Sequence, residues 1–222
     1  MSEAKPVSVA VLHTTPATIP LLKRKIAEEL PEAAVVNFLD DSILPMLRED
    51  PGCIGECFEK LLCMAKFAER QNCAAVLCAC SSVGEFCEFA RGSLRVPLVR
   101  IDGAVTDEIG RQGKRMLALA TLETTLGPSA ALLRKKCAPD AEVDALCLTE
   151  AYKRNLAGDK AGHDRLIAET IERKGAGYDC IFLAQASMSD AAGLVSPGLR
   201  GRIHTSIGPA VAELARIIRK KQ

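Results

Sequence analysis

The 222-residue sequence predicts an α/β protein of two pseudo-symmetric lobes, each with a parallel four-stranded sheet flanked by helices. Three observations support this fold class. Short β-branched apolar runs alternate with segments of helical periodicity, which is typical of parallel strands joined by crossover helices. The same order of elements occurs twice along the chain. The halves match at a shift of about 105 residues, which indicates a duplicated domain because solenoid repeats are much shorter.

In the first half, four apolar runs predict strands, and these runs are residues 7–12, 35–39, 74–80 and 96–101. After the first strand a helix is predicted over residues 21–30, where Pro31 ends it. A second helix is predicted over residues 54–68, because apolar residues recur there along one helical face. Cys57 lies on that face and is therefore interpreted as core packing.

In the second half, strands are predicted at residues 116–120, 143–147, 178–184 and 202–204. Helical periodicity covers residues 126–136 and a long stretch near residues 151–174, which Gly158 and Gly162 interrupt. The final helix has apolar residues on its inner face. It carries cations in its last turn, where they suit the helix dipole.

The internal match sets the lobe boundaries and the expected position of a site. Four strand ends correspond in order and spacing: Leu12-His13-Thr14 with Leu119-Ala120-Thr121, Val36 with Val143, Cys78 to Ser82 with Leu183 to Ser187, and Ile101-Asp102 with Ile203-His204. The first lobe is predicted to be residues 1–103 with a returning helix at 207–222, and the second residues 104–206. Ligands of such sheets bind beyond the carboxyl ends of the strands, so the cleft between the two sets of ends is the expected site.

Composition excludes several classes of function. Lys and Arg number 29 against 28 Asp and Glu, and Trp is absent, so neither a basic surface nor a base-stacking platform indicates nucleic acid.

No apolar window is long enough to span a membrane, and the short N-terminal apolar run lacks the features of a signal peptide. The protein is therefore expected to be cytoplasmic. Glycine-rich dinucleotide and phosphate loops are also missing, so an enzyme that uses a nicotinamide or a nucleotide is disfavoured.

Ten cysteines are an unusual number, and their spacing decides how they are interpreted. The chain is long and shows no export signal, so a disulfide framework is not expected. Cys53 and Cys57 are close in sequence, as are Cys78 and Cys80, but there are no paired Cys-x-x-Cys knuckles and no histidine completes a zinc set. Most of these thiols are interpreted as small buried hydrophobic groups, and no metal is expected.

Cys80 is the exception, because it follows the end of a predicted strand. Ser82 and Glu85 form a capping-box pattern that predicts a helix starting two residues after Cys80. Free amide N–H groups and the positive end of a helix dipole both favour a thiolate, so Cys80 is a candidate catalytic group. The alternative is an inert buried thiol. Cys78 lies deeper on the same face of the strand and is interpreted as core.

The strand-end motifs resemble those of the aspartate/glutamate racemase superfamily, which includes hydantoin racemase, maleate isomerase and arylmalonate decarboxylase. The resemblance covers essentially the whole chain. Three segments carry it: Val76-Leu-Cys-Ala-Cys80-Ser-Ser82, Ile181-Phe-Leu-Ala-Gln185-Ala-Ser-Met188, and the loop Ala120-Thr121-Leu-Glu-Thr124-Thr125.

The resemblance implies cofactor-independent chemistry at a carbon next to a carboxylate. In the racemases one cysteine thiolate removes the α-proton and a second cysteine returns one. Cys80 matches the first cysteine, whereas Gln185 occupies the second position and cannot usefully exchange a proton. Three hypotheses follow: an isomerase or racemase in which Cys80 works with another partner, a decarboxylase or other lyase needing one proton donor, and a carboxylate-binding protein without turnover.

His204 is the candidate replacement partner, because the internal match places it at the end of the last strand opposite Asp102. The alternative is a structural histidine that caps a loop. His13 either faces the cleft or simply ends the first strand. His163 lies in a polar helical stretch and is expected at the surface.

The expected ligand is a small carboxylate or amino acid, held by hydroxyls and backbone N–H groups at helix starts. The residues on those turns are Thr14, Thr15, Ser81, Ser82, Thr121, Thr124, Thr125, Ala186 and Ser187. Each hydroxyl can equally be an ordinary N-cap or turn former. Asp102 either binds a substrate amine or caps the following helix. A homodimer is expected from the resemblance alone.

Overall fold

The computed structural model describes residues 7–220, which divide into two units. The first unit comprises the chain up to Ile101 together with the segment from Ile207 onward, and the second is Asp102–Ser206. Each unit contains a four-stranded, all-parallel sheet flanked by helices, so the predicted fold class is confirmed. None of the helices between residues 7 and 220 has the length and apolar composition of a membrane span.

The first unit has the strand order β2-β1-β3-β4. Its strands are β1 (Val7–His13), β2 (Ala33–Leu39), β3 (Ala75–Cys78) and β4 (Leu98–Arg100). Its helices are α1 (Ile19–Glu29), α2 (Ile43–Glu49), α3 (Ile54–Arg70), α4 (Phe86–Phe89) and α10 (Ile207–Arg219). Short 3₁₀ turns lie at Pro16–Thr18, Pro51–Cys53 and Ser81–Val83.

Both faces of the first sheet are covered. Ala10 and Leu12 of β1 point to one face and pack with α2 and α3 through residues such as Leu47 and Leu61. Val9 points to the other face and is also fully buried, because side chains alternate along a strand. Helix α10 contacts β3, β4 and α1, so the returning helix completes this unit.

The second unit repeats this arrangement with the strand order β6-β5-β7-β8. Its strands are β5 (Arg115–Ala120), β6 (Glu142–Cys147), β7 (Cys180–Leu183) and β8 (Ile203–Thr205). Its helices are α5 (Gly103–Gln112), α6 (Glu123–Lys136), α7 (Thr149–Leu156), α8 (Lys160–Lys174) and α9 (Pro197–Arg200). Gly175–Gly177 and Ala186–Leu194 form 3₁₀ helices.

The second sheet lies between two apolar layers. Ala118 and Phe182 face α5 and α6, whereas Leu117 and Leu183 face α7 and α8. Helix α8 contributes Ile167 and Ile171 to the second of these layers. The 3₁₀ helix Ala186–Leu194, which follows β7, packs on the same side and contacts α8.

Some helix boundaries differ from the sequence-based expectations. Helix α2 is additional, and α6 begins three residues before the predicted start. Gly158 does separate α7 from α8, and its φ of +81° suits glycine at that turn. Gly162 does not interrupt a helix as predicted. It lies in the first turn of α8, where its N–H donates to the Asp159 carboxylate at 2.8 Å.

The strand registers correct one part of the internal match. Val9 pairs with Val35 in the first sheet, and its counterpart Met116 pairs with Val143 in the second. Val143 therefore corresponds to Val35, and the expected match with Val36 is wrong by one residue. Both residues lie on edge strands, where burial is incomplete and the hydrophobic pattern specifies register weakly.

The match between Asp102 and His204 is also wrong. Val99 pairs with Leu77 in the first sheet, and His204 pairs with Phe182 in the second. His204 therefore corresponds to Val99, inside the strand. The two strands concerned have three residues each, which is too short a pattern to fix an alignment from sequence.

Candidate functional site

Cys80 lies just beyond the carboxyl end of β3. It is the N-cap residue of the 3₁₀ turn Ser81–Val83, with an extended φ of −129°. The predicted capping box is wrong, because α4 starts only at Phe86 and its N-cap is Glu85, whose side chain makes no capping hydrogen bond within the described chain. The link between β3 and β4 is filled by a 3₁₀ turn and one short helix. The Cys80 sulfur is therefore contacted by the backbone amides of a tight turn, and no long helix starts beside it.

The surroundings of the Cys80 sulfur act on its acidity in opposite directions. Burial raises the pKa of the Cys80 thiol, and the neighbouring Cys78 adds to this rise. Hydrogen bonds from the Thr14 hydroxyl and from the backbone N–H groups of Ser82 and Val83 lower the pKa. The amide donors are those that the sequence predicts. The net pKa nevertheless lies above its ordinary value, so the resting side chain is a neutral thiol.

Two further thiols near Cys80, those of Cys78 and Cys87, are part of the apolar core of the first unit. Cys78 is fully buried, as predicted, and its Sγ lies 3.9 Å from the carbonyl oxygen of Cys80. A hydrogen bond with Cys78 raises the pKa of Cys87 well above its ordinary value, and burial adds to the effect. The Cys87 thiol therefore remains protonated at neutral pH.

The loop after β1 contributes one candidate contact and one local cap. The Thr14 hydroxyl is buried and, apart from the Cys80 sulfur, has no hydrogen-bond partner among residues 7–220. The Thr15 hydroxyl accepts a 3.4 Å hydrogen bond from the N–H of Ala17, which is an ordinary capping role. Ser81 and Ser82 are both buried within the turn that Cys80 starts.

His13 has a structural environment. Its Nε2 lies 2.9 Å from Oδ1 of Asn37 on β2, and its Nδ1 lies 2.9 Å from the Thr18 hydroxyl. Both ring nitrogens are thus occupied within the first unit. Burial lowers the pKa of His13, although the Asn37 hydrogen bond opposes this. His13 therefore fits the alternative in which it simply ends the strand.

Arg100, at the end of β4, is a buried cation that the sequence-based list does not contain. Its guanidinium lies 3.4 Å from Glu88. A Cβ placed on Gly84 would lie 2.5 Å from Arg100 Nε, so the guanidinium needs a glycine beneath it. The backbone of Gly84 has an ordinary helical conformation, so the reason for a glycine here is the close approach of Arg100 and not the backbone dihedral angles.

Gln185 takes the place of Cys80 in the second unit. It follows β7 and is the N-cap residue of the 3₁₀ helix that contains Ala186 and Ser187, all three being partly exposed. Its Oε1 accepts hydrogen bonds from both the backbone N–H and the hydroxyl of Thr121. The backbone N–H can only donate, so this contact fixes the orientation of the amide.

Two consequences follow for Gln185. Its side chain is tied to the end of β5, just as Cys80 is contacted by Thr14 at the end of β1. Its amide nitrogen has no hydrogen-bond partner in residues 7–220 and is a free donor of two N–H groups. The position therefore offers hydrogen bonds where a thiol would offer proton exchange.

The remaining hydroxyls of the β5–α6 turn differ from one another. Thr125 is buried, and Thr124 has a buried Oγ1 without a hydrogen-bond partner in the described chain. Cys147, at the end of β6, has its pKa raised to about 11 by burial and by the nearby Glu123 carboxylate. This thiol is therefore unlike Cys80, whose donors oppose the effect of burial.

Asp102 is completely buried at the N-cap position of α5, but its side chain makes no capping hydrogen bond in the described residues. Its Oδ2 instead accepts a 3.0 Å hydrogen bond from the hydroxyl of Ser129 on α6. Ser129 lies on the buried face of an amphipathic helix, and nothing in its sequence context marks it. The arrangement ties α5 to α6 and keeps the Asp102 carboxylate away from solvent.

His204 lies within β8 and not at its carboxyl end. It pairs with Phe182 and so points to the face that α5 covers, where its Nδ1 is 3.7 Å from Glu108. Burial lowers the pKa of His204, and Glu108 opposes this. This placement favours the structural alternative for His204.

His163 is completely buried, so the expectation of a surface position is wrong. It lies one turn before Ile167 on the buried side of α8, and its Nδ1 is 2.7 Å from Asp164. The polar sequence around it concealed the i, i+4 spacing with Ile167 and Ile171. Over the described residues, no group of three or more His, Cys, Asp or Glu side chains is arranged to hold a metal ion.

The comparisons with known proteins agree with this architecture. The sequence profile described as Asp/Glu/Hydantoin racemase matches residues 7–211. Among solved structures, glutamate racemase from Thermus thermophilus is 16% identical with a TM-score of 0.73, over 97% of this chain and 82% of that one. An aspartate racemase homologue from Pyrococcus horikoshii is 18% identical with a TM-score of 0.71, over 94% and 99%.

A mutant of arylmalonate decarboxylase is also similar, at 16% identity and a TM-score of 0.66, over 97% of this chain and 94% of that one. Identities this low show the fold alone. No curated protein sequence matches the chain.

Proposed function

Because the chain belongs to the Asp/Glu/hydantoin racemase family, we propose that it moves a proton at the α-carbon of a small amino acid or carboxylic acid, without a cofactor and with Cys80 as acid and base. The observation that carries the proposal is the position of Cys80. The residue lies at a strand end and is partly exposed, and its sulfur receives hydrogen bonds from Thr14 and two backbone amides. A thiol in such a setting can take both protonation states during a turnover.

The same donors support the individual proton transfers. The raised pKa of Cys80 makes the neutral thiol the resting form, which is ready to give its proton to a carbanion. When the thiol is deprotonated, the N–H groups of Ser82 and Val83 and the hydroxyl of Thr14 hold the negative charge on sulfur. These fixed donors allow the sulfur to remove a proton in the reverse step.

The turns beside the strand ends supply the groups that a carboxylate needs. Hydroxyls and backbone N–H groups at helix starts bind small anions well. We assign this role in the first unit to Thr14 and Ser81, and in the second to Thr124 and Ser187. The named substrates of the similar proteins, glutamate and aspartate, are the first compounds to test.

A second candidate function is a lyase of the same family, such as a decarboxylase, and Gln185 favours it. Its amide cannot accept and return a proton, but its two free N–H groups suit an enolate oxygen. A decarboxylation needs only one proton donor to the resulting carbanion, and the Cys80 thiol is that donor.

The test compares Cys80→Ser with Cys63→Ser, in which the exposed thiol on α3 is replaced. D- and L-aspartate, D- and L-glutamate, and aryl-substituted malonates are incubated with each protein in deuterated water. Wild type and Cys63→Ser are expected to incorporate deuterium at the α-carbon, and Cys80→Ser to lose at least about 100-fold in rate.

The alternatives give different results in the same experiment. Release of carbon dioxide identifies the lyase. Thermal stabilisation by a carboxylate without any turnover identifies a binding protein and overturns the proposed enzyme. Full activity in Cys80→Ser removes Cys80 from the reaction.

A further inference from the structure

Two thiols at the start of α3 are in contact with each other. The Sγ atoms of Cys53 and Cys57 lie 3.9 Å apart, and both residues are free cysteines. The pair lies on a helix of the first unit and does not include the strand-end thiol of Cys80. Two thiols in contact allow a reaction that a single cysteine cannot perform, because each can serve as the disulfide partner of the other.

The backbone separation of this pair suits a disulfide. Two Cα atoms four residues apart on an α-helix are separated by about 6 Å, and disulfides join Cα atoms about 4.4–6.8 Å apart. The side chains fit less well. The Cβ atoms of such a pair are about 5–6 Å apart on a regular helix, whereas a disulfide requires about 3.5–4.5 Å. Bond formation therefore requires a local adjustment of the helix start.

Cys53 is the residue that can make this adjustment. It is the N-cap of α3, and its ψ of 11° lies outside the helical range. It also ends the 3₁₀ turn Pro51–Cys53, so it is not held inside a regular helix. The disulfide still retains some strain, and strained disulfides are the more easily reduced ones. The pair is therefore suited to reversible oxidation and not to a permanent cross-link.

The two thiols differ in exposure, and this difference sets the order of reaction. Cys53 is partly exposed, whereas Cys57 is completely buried. Burial raises the pKa of Cys57 to about 11, and the neighbouring Cys53 adds to this rise. A dissolved oxidant therefore reacts first with Cys53. Cys57 then lies close enough to complete the exchange from the buried side.

We propose that Cys53 and Cys57 form a redox modification site, which small disulfides such as oxidised glutathione convert to an intramolecular disulfide. The Cys53 thiolate attacks one sulfur of glutathione disulfide, forms a mixed disulfide and releases one glutathione thiolate, which takes up the proton that Cys53 lost. The sulfur of Cys57 then attacks the Cys53 sulfur and releases the second glutathione in the same way. Two protein thiols are thus oxidised, and one glutathione disulfide is reduced to two thiols. This inference does not depend on the proposed reaction of Cys80.

The experiment is carried out on folded wild-type protein, which is incubated with excess oxidised glutathione, treated with N-ethylmaleimide and digested with trypsin. Residues 49–60 form one tryptic peptide with Cys53 and Cys57 as its only cysteines, and residues 61–66 form another that contains only the exposed Cys63. The first peptide is expected to lose two hydrogen atoms. Because ring closure is intramolecular, the closed form should exceed its mixed disulfide at least about tenfold. Cys63 is the control and is expected to keep glutathione, and dithiothreitol should restore all three thiols.

Two variants test the order of the steps. Cys57→Ala is expected to stop at a mixed disulfide on Cys53, and Cys53→Ser is expected to leave the buried Cys57 unmodified. The wild-type measurement decides the proposal even where a variant fails to fold. A wild-type peptide 49–60 that keeps glutathione on Cys53 overturns the proposal. The same conclusion follows if both of its thiols stay free while Cys63 is modified.

Discussion

Replacing Thr14 with valine is expected to slow the alkylation of Cys80 about tenfold near pH 7.5. The Thr14 hydroxyl lowers the pKa of Cys80 against the opposing effect of burial. A hydrogen bond to a charged group contributes about 1.5–3 kcal/mol. The lower end of that range applies here, because sulfur is a weak acceptor, and about 1.4 kcal/mol corresponds to a tenfold smaller thiolate population.

The substitution is well suited to this measurement because it changes little else. Valine has nearly the shape of threonine, and the hydroxyl has no nitrogen or oxygen partner within the described residues. The melting temperature is therefore expected to stay the same or to rise. The amides of Ser82 and Val83 still contact the sulfur, so the reactivity of Cys80 is reduced and not abolished.

The assay is a timed reaction with iodoacetamide between pH 6.5 and 9.5, followed by digestion and mass spectrometry of the Cys80 peptide. Fragment ions that localise the label to Cys80 separate it from Cys78, two residues away, and from the other eight thiols. The control is Thr124→Val, which removes a buried unpartnered hydroxyl in the other unit. The ratio of the wild-type rate to the Thr14→Val rate is expected to stay constant below the pKa of Cys80 and to fall only as the pH rises through that pKa. Equal rates in these two proteins, or equal slowing in the control, would refute the reasoning.

Two further predictions concern the stability of the first unit. Gly84→Ala is expected to lower the free energy of unfolding in urea by about 1–3 kcal/mol, because the new Cβ meets the Arg100 guanidinium. Gly55→Ala is the control: a Cβ there meets open space, so the free energy of unfolding is expected to rise by up to about 1 kcal/mol. Equal effects of the two substitutions would contradict this explanation. Burial lowers the pKa of His13 in the folded protein below 6.5, so below that pH the unfolded chain binds a proton more readily than the folded one. The contribution of His13 to the free energy of unfolding is therefore complete above pH 6.5 and is lost as the pH falls towards the lower pKa of the folded protein. His13→Gln should flatten this acid slope between pH 7 and 5, and an unchanged slope would count against the assignment.

The sequence predicted the strand ends well, because their position follows from buried apolar runs that have few alternatives. Cys80 and Gln185 occupy equivalent positions, as do Thr14 and Thr121, and each pair is in contact within its unit. The register of the edge strands is less predictable from sequence. They are shorter or only partly buried, so their hydrophobic pattern determines the register weakly.

The chemistry of the site was less predictable from sequence. Cys80 has the amide donors that its position indicates, but burial, which depends on the tertiary fold, reverses the net effect on its pKa. The polar neighbours Lys160, Asp164 and Arg165 predict a surface position for His163, whereas the fold buries it. The spacing of His163 with Ile167 and Ile171 was the available signal, and the same i, i+4 series begins at Cys57 on α3.

The two hydrogen bonds from Thr121 to Gln185 have a consequence for substitutions at residue 185. In the first unit the Cys80 sulfur accepts a hydrogen bond from the equivalent Thr14 hydroxyl but none from the Thr14 backbone N–H, so a cysteine at residue 185 is expected to keep the contact with the Thr121 hydroxyl and to leave the buried Thr121 N–H without Gln185 as its partner. Each buried donor left unpaired costs about 1–3 kcal/mol. Gln185→Cys alone therefore yields a less stable protein. The backbone N–H of Thr121 therefore favours glutamine at residue 185 independently of any role of Gln185 in the reaction.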